Sequence, residues 1–354
     1  MKIDTEIDYS ALSVDGLHPL PNLIILGAQK CGTTSLHNYI NNHHDVYMSH
    51  LKEPALFRDF ERIQRYYDRR MSTHFKSKRD YHENFVLKGY KGERFFGEST
   101  THYTALKIAE DEKIPEIMAT LIPNARFIYI MRNPFERLRS VYAHGIKMGD
   151  TDENIENFMS RRPQHVETTK YHAQISQFIR YFEREQFLLI SFEEMVNDPI
   201  KTVRNVYNFL GLSCTLSDFP KSYIVYNKTA AHSSKLSGGI FSDRFYNCVI
   251  STFHAEVKAL KEYGFYPDWD LSAERWVTEE GNYSLYLSLG HLGFIQKNDI
   301  AGFEEFVKQC TDKKNIISLK RDLFKLRVKS SWIGALLRGM IRSVRWVKRK
   351  IQHG

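Results

Sequence analysis

Cysteine is scarce in this chain: Cys31, Cys214, Cys248 and Cys310 stand far apart and show no CxxC or Cys/His ligand spacing. That excludes a dense disulfide framework and argues against a structural metal site. Long apolar runs are missing as well. The opening MKIDTEIDYSALSVDG carries no signal-peptide core, and no stretch of about 20 apolar residues is available to span a bilayer. A cytoplasmic protein is expected. No internal repeat is present.

The 354 residues suffice for one large domain plus an extension, because single cores stop growing near roughly 250–300 residues. A composition of 42% hydrophobic, 13% aromatic and 26% charged residues is that of an ordinary globular protein. The formal charge of +8 favours anionic partners. Much of it sits at one end, since no acidic residue follows Asp322 while lysine and arginine recur from Lys325 to Lys350. The aromatics do not interleave with Lys and Arg as a base-stacking platform would, so nucleic acid is not the expected partner.

Residues 1–20 are polar and punctuated by Pro19, which marks a lead-in arm. Leu23-Ile24-Ile25-Leu26, ending at Gly27, has the unbroken apolar character of a parallel strand buried on both faces. A helix through Leu36, Tyr39 and Ile40 follows. The strand signature returns at Arg126–Met131 and Phe187–Ile190, each time before a helical pattern. Alternating strands and helices predict an α/β fold, a three-layer parallel sheet with flanking helices, over residues 21–270. Residues 151–185 read as charged helix and Leu216 to Gly239 as loop.

From about Asp270 the sheet-like runs stop, and 271–354 is expected to be a helical C-terminal extension. Its end is a basic amphipathic helix. Ile333, Leu336, Leu337, Met340 and Val344 share one face, Arg338, Arg342, Arg345 and Arg349 another, and Trp332 and Trp346 flank them. Such a helix either packs on the core or lies in an anionic membrane surface through residues 331–354.

The strongest chemical signal is Gly27-Ala28-Gln29-Lys30-Cys31-Gly32-Thr33-Thr34-Ser35, set between a strand and a helix. Small residues there let backbone N–H groups approach a phosphate, and the helix start adds partial positive charge. Lys30 adds a full charge. A kinase-type loop reads GxxxxGK[ST], with its lysine after the last glycine and a hydroxyl on magnesium. Here lysine precedes the glycine, and no apolar strand ending in a metal-binding Asp follows. The pattern suits a donor that needs no metal. A nucleotide phosphotransferase is the alternative, which magnesium dependence would reveal, and a tight turn with incidental threonines is the plain structural one.

The second signal is Arg132-Asn133-Pro134-Phe135-Glu136-Arg137-Leu138-Arg139-Ser140, again just after a strand, with Pro134 suited to a first helical turn. Arg132 and Ser140 could converge on one phosphate. Solvated or salt-bridged arginines are the alternative.

Together these segments resemble the phosphosulfate loop and the 3'-phosphate motif of sulfotransferases that use 3'-phosphoadenosine-5'-phosphosulfate (PAPS). Lys52-Glu53-Pro54-Ala55-Leu56-Phe57 is similar to the KEPxxF segment of bacterial and carbohydrate members. Gly97-Glu98-Ser99-Thr100-Thr101-His102-Tyr103 resembles their GE(K/S)(S/T)PxY segment, with Ser99 where heparan-type members often carry lysine and Thr101 where most carry proline. Phe192-Glu193-Glu194-Met195, Asp198-Pro199 and Phe209-Leu210-Gly211-Leu212 resemble a later stretch.

The resemblance implies transfer of a sulfuryl group from PAPS to a hydroxyl or amine of a carbohydrate, glycolipid or small metabolite. It implies that Lys30 acts on the leaving phosphate and that Lys30, Cys31, Gly32, Thr33, Thr34 and Ser35 form the phosphosulfate loop. Arg132 and Ser140 hold the 3'-phosphate, and no metal is required. Glu53 is the first candidate for the base that takes the acceptor's proton, with a surface pair to Lys52 as its plain alternative. His102 and His144 are reserve bases. Asn227-Lys228-Thr229 resembles a late loop closing over the nucleotide, which makes Lys228 a further candidate ligand.

Overall fold

Five strands form one parallel sheet in the order β2-β3-β1-β4-β5. They are β1 (Leu23–Gly27), β2 (Val46–Met48), β3 (Phe95–Ser99), β4 (Arg126–Met131) and β5 (Phe187–Ser191). The computed structural model describes residues 17–71, 73–151, 153–220 and 241–277. β1, β4 and β5 are the three unbroken apolar runs that the sequence marks as strands. β2 and β3 escape that reading: β2 has only three residues, and β3 reads FFGES, so its apolar start gives way to Gly97 and Glu98. Ile24 pairs with Glu98, which places that carboxyl inside the sheet with no solvent exposure.

Alternation along the strands divides the interior into two layers. Ile24 and Leu26 of β1, Phe96 of β3 and Phe127 and Tyr129 of β4 face one cluster, and Leu23, Ile25, Phe95, Ile128 and Ile130 face the other. Between β1 and β2 runs α1 (Thr33–Ile40), and between β2 and β3 come α2 (Phe60–Met71) and the single turn α3 (Lys78–Tyr81). α4 (Leu106–Asp111) and α5 (Ile114–Leu121) lead to β4. Between β4 and β5 lie α6 (Pro134–Met148), α7 (Ile155–Arg161), α8 (Gln164–Glu167) and α9 (Tyr171–Ile179). After β5 follow α10 (Phe192–Asn197), α11 (Pro199–Phe209), α12 (Asp243–Leu260) and α13 (Ala273–Trp276).

The first layer is covered by residues of α2, α5 and α9, and the second by α1, α10 and α11. That is the expected three-layer α/β arrangement. A third cluster joins α6, α7, α12 and α13. The chain leaves β1 toward β2 and β3 on one side and reaches β4 and β5 on the other, so the crossover direction reverses at β1. In open parallel sheets ligands bind at the carboxyl ends of the strands beside such a reversal.

Leu17 is buried and Leu20 packs on the core, so the described end of the lead-in arm belongs to the fold. Among the described residues, the main compact unit runs on through Val277. Asn133 Nδ2 and Trp276 Nε1 both donate to the carbonyl of Asp270, at 2.9 and 2.8 Å, and Trp276 stacks on Phe135. Of the expected extension, residues 271–277 are described, while residues 278–354, including the basic tail from Ser331 to Gly354, lie outside the described residues, as does Lys228. No helix among the described residues is long and apolar enough to cross a membrane.

Among the described residues one His/Asp cluster brings metal-type ligand atoms together, those of His43, His44 and Asp218, within 4.8 Å of one another. Both ring nitrogens of His43 are already engaged, with the Ser213 carbonyl at 3.1 Å and the Asp45 amide at 3.0 Å. Asp218 takes His44 Nδ1 at 2.9 Å and the Thr215 amide at 2.7 Å. The cluster braces the turn after α1 against the segment after α11.

Candidate functional site

The phosphate loop begins where β1 ends. Gly32 caps α1 in the left-handed region at φ 90°, and a Cβ there would meet Phe192 Cδ2 at 2.7 Å and Met195 Cε at 2.8 Å. Only glycine fits. No side chain caps α1, and a helix has no internal acceptors for its first-turn N–H groups, so the loop presents donors to an anion. Thr33 and Ser35 are buried and Thr34 half-buried.

Lys30 also holds a left-handed backbone, φ 67°, which costs a non-glycine residue of order 1–3 kcal/mol and is characteristic of functional positions. Burial lowers its ammonium from the ordinary lysine value, and the charges of Arg132, Arg137 and Lys147 lower it further. Cys31 turns inward. Its amide donates to the Ala28 carbonyl, its thiol lies 3.6 Å from Tyr171 Oη, and burial pushes the thiol up to about 11. Its part in the loop is to hold the turn, not to offer a thiolate.

Arg132 leaves the end of β4. Its Nη2 donates to Glu136 at 3.1 Å, and its guanidinium lies 4.5 Å from the centre of the Phe192 ring. Asn133 caps α6 by accepting from the amides of Phe135 and Glu136, with Pro134 at the first helical position, and Ser140 is half-buried two turns on. Glu193 ties the β4–α6 turn to α10, because its carboxylate accepts from Asn133 N at 2.9 Å, Ser191 Oγ at 2.8 Å and Trp269 Nε1 at 2.9 Å.

The other half of the site lies at the end of β3. Glu53 is the second strained residue, φ 60°, and its amide donates to the Ser99 carbonyl at 3.0 Å. Its Oε1 accepts from Thr101 Oγ1 at 3.3 Å and lies 3.5 Å from Lys52 Nζ, while Oε2 lies 3.3 Å from His102 Nδ1. Burial pushes this carboxyl up, but the His102 contact, the Lys52 charge and Thr101 outweigh it and hold it at about 2. The pair with Lys52 foreseen as the plain alternative is therefore real, yet it forms inside the site. Lys52 Nζ also donates to the Ser99 carbonyl at 3.1 Å, and burial lowers its pKa against the opposing pull of Glu53. His37 Nδ1 and Ser99 Oγ share a 2.8 Å hydrogen bond, and burial, aided by Lys52, lowers His37 to about 3, so it stays neutral. His144 lies on the exposed side of α6.

Two residues with central places were not singled out in the sequence. Glu98 is fully buried and accepts from Tyr103 Oη at 2.7 Å and Thr100 Oγ1 at 2.8 Å. Those hydroxyls accept in turn from the amides of Phe57 at 3.2 Å and Ala55 at 3.0 Å. The buried carboxyl thus fixes the segment that displays Glu53. A charged residue beside the apolar pair Phe95-Phe96 was the available signal. The other is Arg137, whose burial the run of arginines after Arg132 does not reveal.

A parallel α/β sheet with a lysine-bearing glycine loop after its central strand, and a carboxylate–histidine pair beside the end of the next, is a layout suited to group transfer. Residues 20–235 match the family described as "Sulfotransferase domain", and the chain belongs to that family, whose chemistry is sulfuryl transfer. It is 25% identical over 210 residues to the human bifunctional heparan sulfate N-deacetylase/N-sulfotransferase 2, a match covering 55% of this chain and 22% of that protein. It is also 25% identical over 233 residues to the Xenopus laevis N-deacetylase/N-sulfotransferase 1, covering 62% of this chain and 25% of the relative. The match therefore spans about a quarter of the length of these relatives. The crystal structure of a sulfotransferase from Alicyclobacillus acidocaldarius shares the fold, with a TM-score of 0.54 at 24% identity, over 73% of this chain and 99% of that one.

Proposed function

We propose that this chain transfers the sulfuryl group of PAPS to a hydroxyl or amine by in-line displacement. The observation that carries the reading is that two of the four non-glycine residues with positive φ among the described residues, Lys30 at 67° on the donor side and Glu53 at 60° on the acceptor side, stand beside the carboxyl ends of the adjacent strands β1 and β3. The acceptor atom forms a bond to sulfur while the bond to the bridging oxygen breaks, and negative charge grows on the departing 5'-phosphate. Lys30 and the start of α1 stabilise that charge more in the transition state than in the ground state. The acceptor's proton passes to the Glu53–His102 pair. Arg132, beside Lys30, and Ser140 on α6 hold the 3'-phosphate that distinguishes PAPS from ATP. The names of the heparan sulfate relatives, N-sulfotransferases, favour a saccharide amine as acceptor.

Calorimetry with 3'-phosphoadenosine-5'-phosphate (PAP) and AMP tests the donor. PAP binds far more tightly, and Arg132→Ala weakens it by about tenfold or more, since a charge-assisted hydrogen bond contributes about 1.5–3 kcal/mol. Equal affinities for PAP and AMP would sink the reading. Labelled PAPS with a panel of saccharides then identifies the acceptor.

A further inference from the structure

Arg137 has no solvent exposure. Its Nε donates to the Gln29 carbonyl at 2.9 Å and its Nη1 to the His165 carbonyl at 2.6 Å, while Nη2 has no hydrogen-bond partner. Buried cations are ordinarily paired with a carboxylate. No such pair exists for Arg137 among the described residues, and the groups that act on it electrostatically are Tyr171, Cys31 and Tyr129. All three are neutral, because burial holds each phenol well above its ordinary value and the thiol at about 11. A guanidinium does not shed its proton in a protein. A full positive charge therefore sits in the core behind the phosphate loop without a counter-ion.

The Gln29 carbonyl belongs to the same peptide unit as the Lys30 N–H, so the bond from Arg137 orients the peptide that sets the left-handed φ of Lys30. The charge reaches the loop as well, since Arg137 is among the groups that depress Lys30. We infer that the counter-ion of Arg137 is the anionic group of the bound nucleotide, and that Arg137 is a positioning residue that ties nucleotide affinity to a buried charge. It touches no ligand itself. Its effect passes through the loop and through a low-dielectric interior, where salt screens little. The inference rests on the nucleotide reading above and deepens it.

The test compares Arg137→Gln, which keeps a donor for the Gln29 carbonyl but loses the charge, with Arg137→Lys, which keeps the charge but loses the fork. PAP affinity is measured by calorimetry, and thermal unfolding of the free proteins is recorded alongside. The expected result is that Arg137→Gln melts at or above the wild-type temperature when free, yet binds PAP about tenfold or more weakly, while Arg137→Lys recovers most of the affinity. Affinity lost in both variants, or in neither, overturns the inference. If Arg137→Gln does not fold, Arg137→Lys decides alone: retained affinity supports the charge, lost affinity refutes it. A wild-type protein that fails to bind PAP refutes the nucleotide reading instead, and leaves the melting comparison readable.

Discussion

Oε2 of Glu53 lies 3.3 Å from Nδ1 of His102, so two of the three side chains considered for proton removal form one pair. The His102 contact is the largest of the influences that draw the Glu53 carboxyl down to about 2 against burial. Glu53→Gln keeps the shape but removes the proton acceptor, and turnover should fall by about 10²–10⁴ with PAPS affinity nearly unchanged. In His102→Gln the carboxyl loses its strongest stabilising partner and titrates at higher pH. The acid limb of kcat/KM should then move upward relative to wild type. A limb that stays in place would separate the two residues functionally.

Lys30 is depressed by burial first and by Arg132 next, so the free enzyme loses this proton at lower pH than an ordinary lysine. The alkaline limb of kcat/KM should lie below the ordinary lysine range, and Arg132→Ala should shift it upward by removing a like charge. Lys30→Ala should lower turnover with every acceptor.

Glu98 is held at about 7, with burial as the dominant cause against the hydrogen bonds from Tyr103 and Thr100. The folded chain keeps this proton where the unfolded chain, titrating near 4.3, has released it. Stability from Glu98 is thus full below about pH 4.5 and declines as pH rises toward 7, by a few kcal/mol at most. Urea denaturation at pH 5 and pH 8 should show that decline in the wild type, and Glu98→Gln should flatten it. Glu53 titrates with the opposite sign in a separate window, because its stabilisation is lost only as pH falls from about 4.5 toward 2.

Gly32→Ala would place a methyl group 2.7 Å from Phe192 at φ 90°. Left-handed strain and overpacking together should cost about 2 kcal/mol or more, read as a lower urea midpoint, and nucleotide affinity should drop with the disturbed loop.

Much of the donor side was legible along the chain. The loop from Gly27 to Ser35, its lysine and the strand-to-helix turn at Arg132 are local patterns, and strands β1, β4 and β5 announce themselves because burial on both faces demands unbroken apolar residues. β3 did not, since Glu98 breaks its pattern and is tolerated only through two hydroxyls that the fold supplies.

Sequence by itself determined that this chain builds a parallel α/β sheet with a glycine-bounded, lysine-bearing loop between its first strand and the helix that follows, because those features depend on neighbours a few residues apart. Tertiary structure alone decided that Glu53 meets His102, since the two approach only where the segment after β2 is bonded to the end of β3. It also decided which arginine after β4 is buried. Arg137 and Arg139 read alike in sequence, but the layer enclosed by α6, α8 and the phosphate loop admits the first and leaves the second half-exposed beside Glu136. Burial and charge pairing are properties of packed surroundings, which no local pattern encodes.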